Sequence, residues 1–356
     1  MSAARRVVVA MSGGVDSSVA ASLVVERGDE AIGVTMHLAG ASSRCCSLDD
    51  ADDARRVADR LGMRFYVANY RERFQREVID EFANAYLAGR TPIPCVACNQ
   101  RFKFEYLLER ARVFGAQAVA SGHYARVDRD PETGLRRLRR AVDARKDQTY
   151  FLFGLSQAQL AAVEFPLGEL TKAEVRARAR ALGLATAEKP ESQEICFVPD
   201  GDYASAVERA RPDALPGEGE IVDAEGRVLG RHRGIHHYTV GQRRGLGIAS
   251  ERRLYVTALD AERNRVVVGG ERDLEGSAAR VERVCWIAGE APPPGTPAQV
   301  KIRHQHAGAP ARLEPGGDAT LVRFDAPVRA LAPGQAAVFY RGDVVLGGGW
   351  IAGAAA

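Results

Sequence analysis

The feature that most constrains this chain is a seven-residue loop, Ser12-Gly13-Gly14-Val15-Asp16-Ser17-Ser18, set between an apolar run and a helical repeat. Residues 6–11 read as a strand, and residues 17–26 carry helical periodicity that stops at Gly28. Paired glycines let a backbone turn tightly enough for successive N–H groups to surround phosphate oxygens. The helix start behind them adds a dipole that favours an anion. Ser12, Ser17 and Ser18 offer hydroxyls, whereas Asp16 would repel bare phosphate and makes sense with Mg²⁺ between. No Lys follows the glycines and G-x-G-x-x-G is absent, which excludes the kinase-type P-loop and the dinucleotide fingerprint.

The alternation continues with strands at 31–38, 64–69 and 118–121 and helices at 49–61, 74–88 and 102–114. This order predicts an α/β fold, a doubly wound parallel sheet with helices on both faces. Residues 150–185 read as helical, with a capping box at Thr171-Lys172-Ala173-Glu174. Beyond Pro216-Gly217-Glu218-Gly219 come short apolar runs parted by Glu225-Gly226, Gly269-Gly270 and Arg341-Gly342, which predict two small β-rich units. The expected domains are 1–205, 206–273 and 274–356, the last a β-barrel-like unit.

With 46% hydrophobic and 27% charged residues the composition is that of a globular protein and excludes disorder throughout. No stretch approaches the ~18–20 apolar residues of a membrane span. The apolar run at the start is too short for a signal peptide, so a cytoplasmic protein with no membrane partner is expected. A net charge of +3 neither demands nor forbids a nucleic-acid partner. Any RNA surface must therefore be local, and Arg136-Arg137 with Arg139-Arg140 is the densest basic cluster.

Six cysteines, in a chain expected to be cytosolic, point to catalysis or metal binding rather than structural disulfides. Cys95 and Cys98 form a C-x-x-C in the segment Thr91–Asn99, which its prolines and Asn99 mark as a loop. Such a pair serves redox chemistry, half a zinc site or part of an iron–sulfur site. No second C-x-x-C or H-x₃-H follows to complete a zinc set. Cys285 beside Trp286 reads as a buried, inert thiol, and Cys45-Cys46 is left unassigned.

The seven-residue loop matches the PP-loop of ATP pyrophosphatases. From end to end the chain resembles the bacterial tRNA-specific 2-thiouridylase family, in MSGGVDSS (11–18), GRTPIPCVACNQRFKF (89–104), SGHYAR (121–126), KDQTYFL (146–152), FPLGELTK (165–172), SQEICF (192–197), YTVGQRRGLGI (238–248), PGQAAVFY (333–340) and LGGGWI (346–351). The resemblance implies a PP-loop, adenine nucleotide alpha hydrolase-like domain that replaces oxygen with sulfur at carbon 2 of the wobble uridine in tRNAs for Lys, Glu and Gln. ATP with Mg²⁺ would adenylate that oxygen, releasing pyrophosphate and then AMP. By the same resemblance Cys196 carries the sulfur as a persulfide and Cys98 attacks it, leaving a Cys98–Cys196 disulfide. ATP would be held by Ala10, Met11, Ser12, Gly13, Gly14, Val15, Asp16 and Ser17, with Met36 and Gly122 near the nucleotide. The anticodon arm would meet Ile93, Pro94, Cys95, His123, Lys146, Asp147, Gln148, Arg303, His304 and Gln335. A sulfur-relay protein or cysteine desulfurase would supply the sulfur.

The chain departs from the common family pattern at Cys95, where Asp is usual, at Ile93, where Asn is usual, and at His304, where Tyr follows Arg. With Cys95 there are three thiols, Cys95, Cys98 and Cys196, a set that suits a 4Fe-4S cluster with one open iron to deliver sulfide. Two other classes stay open on the residues alone. A PP-loop synthetase for a small molecule leaves C-x-x-C unexplained, and a non-catalytic RNA-binding or iron–sulfur carrier leaves the intact loop unexplained.

Overall fold

Valine and alanine dominate the first strand, β1 (Arg6–Ala10), whose three central valines are completely buried. It is flanked by β2 (Glu30–His37) and β4 (Ala118–Ser121), and β3 (Arg64–Asn69) lies outside β2, all parallel. After β4 the chain makes an antiparallel hairpin of β5 (Ala125–Arg129) and β6 (Arg136–Arg140). It returns as the two-residue β7 (Val163–Glu164), completing the order β3-β2-β1-β4-β7. The computed structural model describes residues 4–38, 48–191, 195–198 and 200–355, so Cys45 and Cys46 lie outside it.

Successive strand residues point to opposite faces, and both faces are covered. Val8, Ile32 and Val119 pack with Phe102, Phe104 and Leu107 on one side. Val7, Val9 and Ala120 pack with Val19, Val57 and Val175 on the other. This is the doubly wound arrangement the sequence predicts. Its helices are α1 (Val15–Glu26), α2 (Leu48–Arg60), α3 (Arg71–Phe74), α4 (Asp80–Leu87), α5 (Pro94–Ala97), α6 (Leu107–Val113), α7 (Gln157–Ala162), α8 (Lys172–Ala181) and α9 (Tyr203–Ala210). Wide π-helical stretches join α3 to α4 (Gln75–Ile79) and α5 to α6 (Cys98–Tyr106).

Two expectations need correction. The Cys95–Cys98 segment is not a loop: Pro94 takes the first helical position, where its missing N–H costs nothing, and helix runs on from there to Val113. Residues 150–185 are not continuously helical either. The chain leaves α7 into β7, and Pro166 bars a helix before the Thr171–Glu174 capping box, which forms as expected and starts α8.

Beyond α9, β8 (Gly219–Val222), β9 (Val228–His232), β10 (Tyr255–Asp260) and β11 (Arg265–Gly269) form a small sheet in the order β10-β11-β8-β9. The strands β12 (Glu275–Trp286), β13 (Thr296–Lys301), β14 (Ala309–Gly316), β15 (Ala319–Arg329), β16 (Ala336–Arg341) and β17 (Val344–Ala355) run antiparallel, and pairing of β12 with β17 closes them into a six-stranded barrel. Pairing of β17 with β6 adds the early hairpin to this barrel's sheet. The barrel encloses Val281, Val300, Leu313, Val322 and Phe339. Among the described residues no helix is long and apolar enough to cross a membrane.

Candidate active site

Chain order reverses around β1: its next strand β2 lies on one side and β4 on the other. In open α/β sheets the crevice beyond the carboxyl ends at such a point is where ligands bind. Residues 11–14, leaving β1, and 122–123, leaving β4, flank it. Gly13 has φ of +69°, and a Cβ there would lie 2.2 Å from the Asp50 carbonyl oxygen, so only glycine fits. A Cβ on Gly122 would lie 2.7 Å from the backbone of Asp16 and Ser17. Two predicted nucleotide contacts, Gly122 and the loop, are thus brought into direct contact.

The loop serines divide in role. Ser18 is fully buried and donates to the Gly14 carbonyl at 2.9 Å, while receiving a bond from Thr186 at 3.0 Å. It supports the turn rather than facing the crevice. Ser17 donates to Gly14 as well, at 3.0 Å, and accepts from the Ser12 N–H at 3.2 Å. Met36 is a buried residue of β2, paired in register with Ala68.

Asp16 has partners that the sequence did not disclose. Lys172, at the first position of α8, donates to both its carboxylate oxygens at 2.7 and 2.8 Å, and the Tyr124 hydroxyl donates at 2.8 Å. Lys172 also pairs with Glu191 at 3.0 Å, and Lys146 reaches the same carboxylate at 2.5 Å. Burial alone would push the Glu191 carboxyl up, but the bonds from Lys146 and Lys172 outweigh it and hold the group at about 2. Lys189 is tied to Asp50 and Asp53 on α2 at 2.7 and 2.6 Å. The segment leading toward Cys196 is therefore moored by ion pairs beside the glycine loop.

His123 is buried, with Nδ1 2.8 Å from the Ser121 hydroxyl and Nε2 3.4 Å from Lys103. Burial first, and the Lys103 ammonium second, hold its pKa well below the ordinary value. Lys103 and Phe104 belong to the π-helical stretch that begins at Cys98, so this stretch lies against the end of β4. Cys98 and Cys196 pack at the edge of the same apolar core, together with Ile93 and Phe197. Phe197 stands edge-on to Phe74 and Phe82, at 5.9 and 5.2 Å between ring centres. Cys95, Cys98, Cys196 and Cys285 are all partly exposed and none is in a disulfide. Burial raises the Cys285 thiol.

The remaining predicted positions fall where the units meet. Gln335 donates to the Thr91 carbonyl at 3.1 Å, and the Thr91 N–H donates to Pro333 at 2.7 Å, just ahead of the cysteine helix. His304 packs against Phe151 with ring centres 4.6 Å apart, and Arg303 donates to the Arg329 carbonyl at 3.3 Å. The Asp147 carboxylate is taken up by Thr149 and the Ala141 N–H, and Gln148 is clamped to the Tyr124 backbone. Of the arginine cluster, Arg137 and Arg139 share Asp128, at 2.7 and 2.8 Å, and Arg139 also bonds Asp343 at 2.7 Å. Arg140 lies over the Tyr340 ring.

The family model described as tRNA methyl transferase HUP domain matches residues 5–200. Those described as tRNA methyl transferase PRC-barrel domain and aminomethyltransferase beta-barrel domain match 207–270 and 277–351. The chain is 52% identical over 365 residues to the tRNA-specific 2-thiouridylase MnmA of Solibacter usitatus, covering 97% of this chain and 98% of the relative. It is also 52% identical over 360 residues to the protein of that name from Geobacter metallireducens, with 98% and 97% covered. Among solved structures it is similar to a 4-thiouridine synthetase in complex with RNA and ATP, at 18% identity and a TM-score of 0.38, over 59% of this chain and 51% of that one.

Proposed function

The chain belongs to the tRNA-specific 2-thiouridylase family, and from that premise we propose that it carries out the 2-thiolation of the wobble uridine in tRNAs for Lys, Glu and Gln, at the expense of ATP. The observation that carries the reading is the joining of two halves: the glycine loop packed on Gly122, and the π-helical stretch from Cys98 packed on the neighbouring His123. Residues 1–205 are taken as the catalytic domain, 206–273 as a small central unit, and 274–356 as a barrel that helps grip the anticodon arm. The protein works in the cytoplasm, where its substrate is made.

Ala10 to Ser17 hold the phosphates, with the start of α1 behind them. Asp16, whose carboxylate Lys172 and Tyr124 hold in place, would offer its remaining lone pairs to Mg²⁺, which when bound would offset phosphate charge. The uridine 2-oxygen attacks the α-phosphorus of ATP and pyrophosphate departs. The oxygen, now part of an AMP ester, has become a good leaving group. The outer sulfur of a persulfide on Cys196 adds at carbon 2, and AMP leaves. The Cys98 thiolate then takes the inner sulfur and the S–S bond breaks. This leaves 2-thiouridine and a Cys98–Cys196 disulfide, which an external dithiol reduces to two thiols by exchange, itself becoming a disulfide. Ile93, Pro94, Cys95, His123, Lys146, Asp147, Gln148, Arg303, His304 and Gln335 are assigned to shaping or contacting the tRNA site.

The third thiol supports a second reading of the sulfur step. Cys95 lies one helical turn before Cys98, and Cys98 and Cys196 share one core, a donor set that fits a three-thiolate 4Fe-4S cluster. Such a cluster when bound would present sulfide at its open iron.

The test is thiolation of unmodified tRNA by anaerobically purified protein given ATP and a persulfide donor, with iron and acid-labile sulfide measured alongside. A colourless protein that thiolates, with Cys98→Ser and Cys196→Ser abolishing sulfur transfer but not tRNA-dependent pyrophosphate release, supports the persulfide route. About four irons per chain, lost in Cys95→Ala together with thiolation, establishes the cluster route. Absence of tRNA-dependent pyrophosphate release overturns both.

A further inference from the structure

The active site leaves unused a group of side chains where α9 meets the small central sheet. Glu208 projects from α9, and His236 and His237 follow one another in the short turn Ile235–His237. Consecutive residues in such a turn ordinarily diverge by roughly 120°. Here both imidazoles converge, with ring centres 4.3 Å apart and the two Nε2 atoms 3.3 and 3.5 Å from one oxygen, Oε1 of Glu208. Gly234 makes the convergence possible: its φ is +152°, and a Cβ there would lie 2.5 Å from the His236 ring. His236 is buried and its Nδ1 has no hydrogen-bond partner, which leaves Nε2 as the nitrogen that meets the group.

The separations argue for more than hydrogen bonding. An N–H···O bond settles near 2.9 Å. A tetrahedral ion with nitrogen and oxygen ligands at ~2.0–2.1 Å sets its ligands roughly 3.3–3.4 Å apart. Among the described residues this is the one group of three His, Cys, Asp or Glu whose ligand atoms all lie within 4.8 Å of one another. The three donors, two imidazoles and a carboxylate, match the set that binds a divalent transition ion of borderline softness and leaves a fourth position to water.

We propose that Glu208, His236 and His237 bind a divalent transition-metal ion, zinc by donor set, which pins α9 to the central sheet. α9 packs through Tyr203 and Val207 on the cluster of Phe82, Tyr86 and Phe197. The ion would therefore fasten the chain on the far side of the residue next to Cys196. Its role is structural, and it stands apart from the sulfur chemistry.

The test uses the full chain, stripped with a chelator and titrated with Co²⁺ under reducing conditions, alongside Glu208→Gln and His237→Ala. One equivalent giving visible d–d bands without sulfur-to-cobalt charge transfer is expected, with zinc displacing it and raising the unfolding temperature of the wild type. Each substitution should weaken the affinity by more than the ~10–100-fold that loss of an outer partner costs. The Glu208 side chain is partly exposed, at 41%, and Gln keeps its shape, so Glu208→Gln keeps the test informative should His237→Ala fail to fold. Binding only with sulfur charge transfer, or an affinity unchanged in Glu208→Gln, overturns the proposal.

Discussion

Lys172 is the residue on which the charge balance of the site turns. Asp16 and Glu191 share it, and Asp16 lies 156 residues away in sequence. Replacing it with Ala leaves the Asp16 carboxylate with only the Tyr124 hydroxyl to meet an incoming polyphosphate, while Glu191 keeps Lys146. We expect tRNA-dependent pyrophosphate release to fall on the order of 10²-fold, the scale of losing one preorganised donor, with partial recovery in Lys172→Arg. Gly122→Ala should fail differently: the added methyl meets backbone, which cannot swing aside, so ATP affinity and stability should drop together, stability by about 1–3 kcal/mol. Glu191 carries a pH signature. Its folded pKa of about 2 lies below the ordinary 4.5, so the stabilisation is complete above 4.5 and is lost as pH falls from 4.5 toward 2. Urea midpoints measured through that window should show a slope that Glu191→Gln flattens. The loop was legible in the sequence because its chemistry is local, glycines and hydroxyls in consecutive positions. Lys172 was not, because one lysine at a helix start looks the same whether it meets solvent or a carboxylate.

The helix that runs from Pro94 through the wide π-helical stretch to Val113 shows where local reading fails. Its prolines and Asn99 carry loop character, yet Pro94 is compatible with a first turn, and Val96, Asn99, Phe102 and Phe104 are buried by tertiary packing that no short window contains. The resemblance supplied the importance of Cys98 and Cys196, and the structure supplies how the second is steadied. Phe197 wedges between Phe74 and Phe82 on neighbouring helices. Phe197→Ala should lower the unfolding free energy read from urea titration by about 2 kcal/mol, less than a fully buried phenylalanine would cost. Thiolation should fall further than pyrophosphate release, since the loosened turn holds Cys196, the proposed sulfur carrier, and not the residues proposed to hold the nucleotide.

The parallel sheet, the small central sheet and the barrel were each foreseeable from periodicity and turn residues, but their interlocking was not. The stretch 125–140 lies within the α/β half of the sequence and ends up hydrogen-bonded to β17. Of the arginines in this densest basic cluster, Arg137 and Arg139 are engaged with Asp128, Asp130 and Asp343. Asp343→Ala removes one acceptor each from Arg126 and Arg139 but keeps the backbone pairing. The expected loss is below ~1 kcal/mol, because the pair is partly exposed. Amide exchange in β6 should nonetheless quicken, and unchanged exchange there would show that the backbone alone holds the seam. The seam also sets an order of events during synthesis. β6 leaves the ribosome long before β17 exists, and with roughly 200 residues between them at ~5–20 residues per second the hairpin waits roughly 10–40 s for its neighbour. Throughout that interval the nascent catalytic half carries an open strand edge, which is closed only when the last strand of the chain arrives.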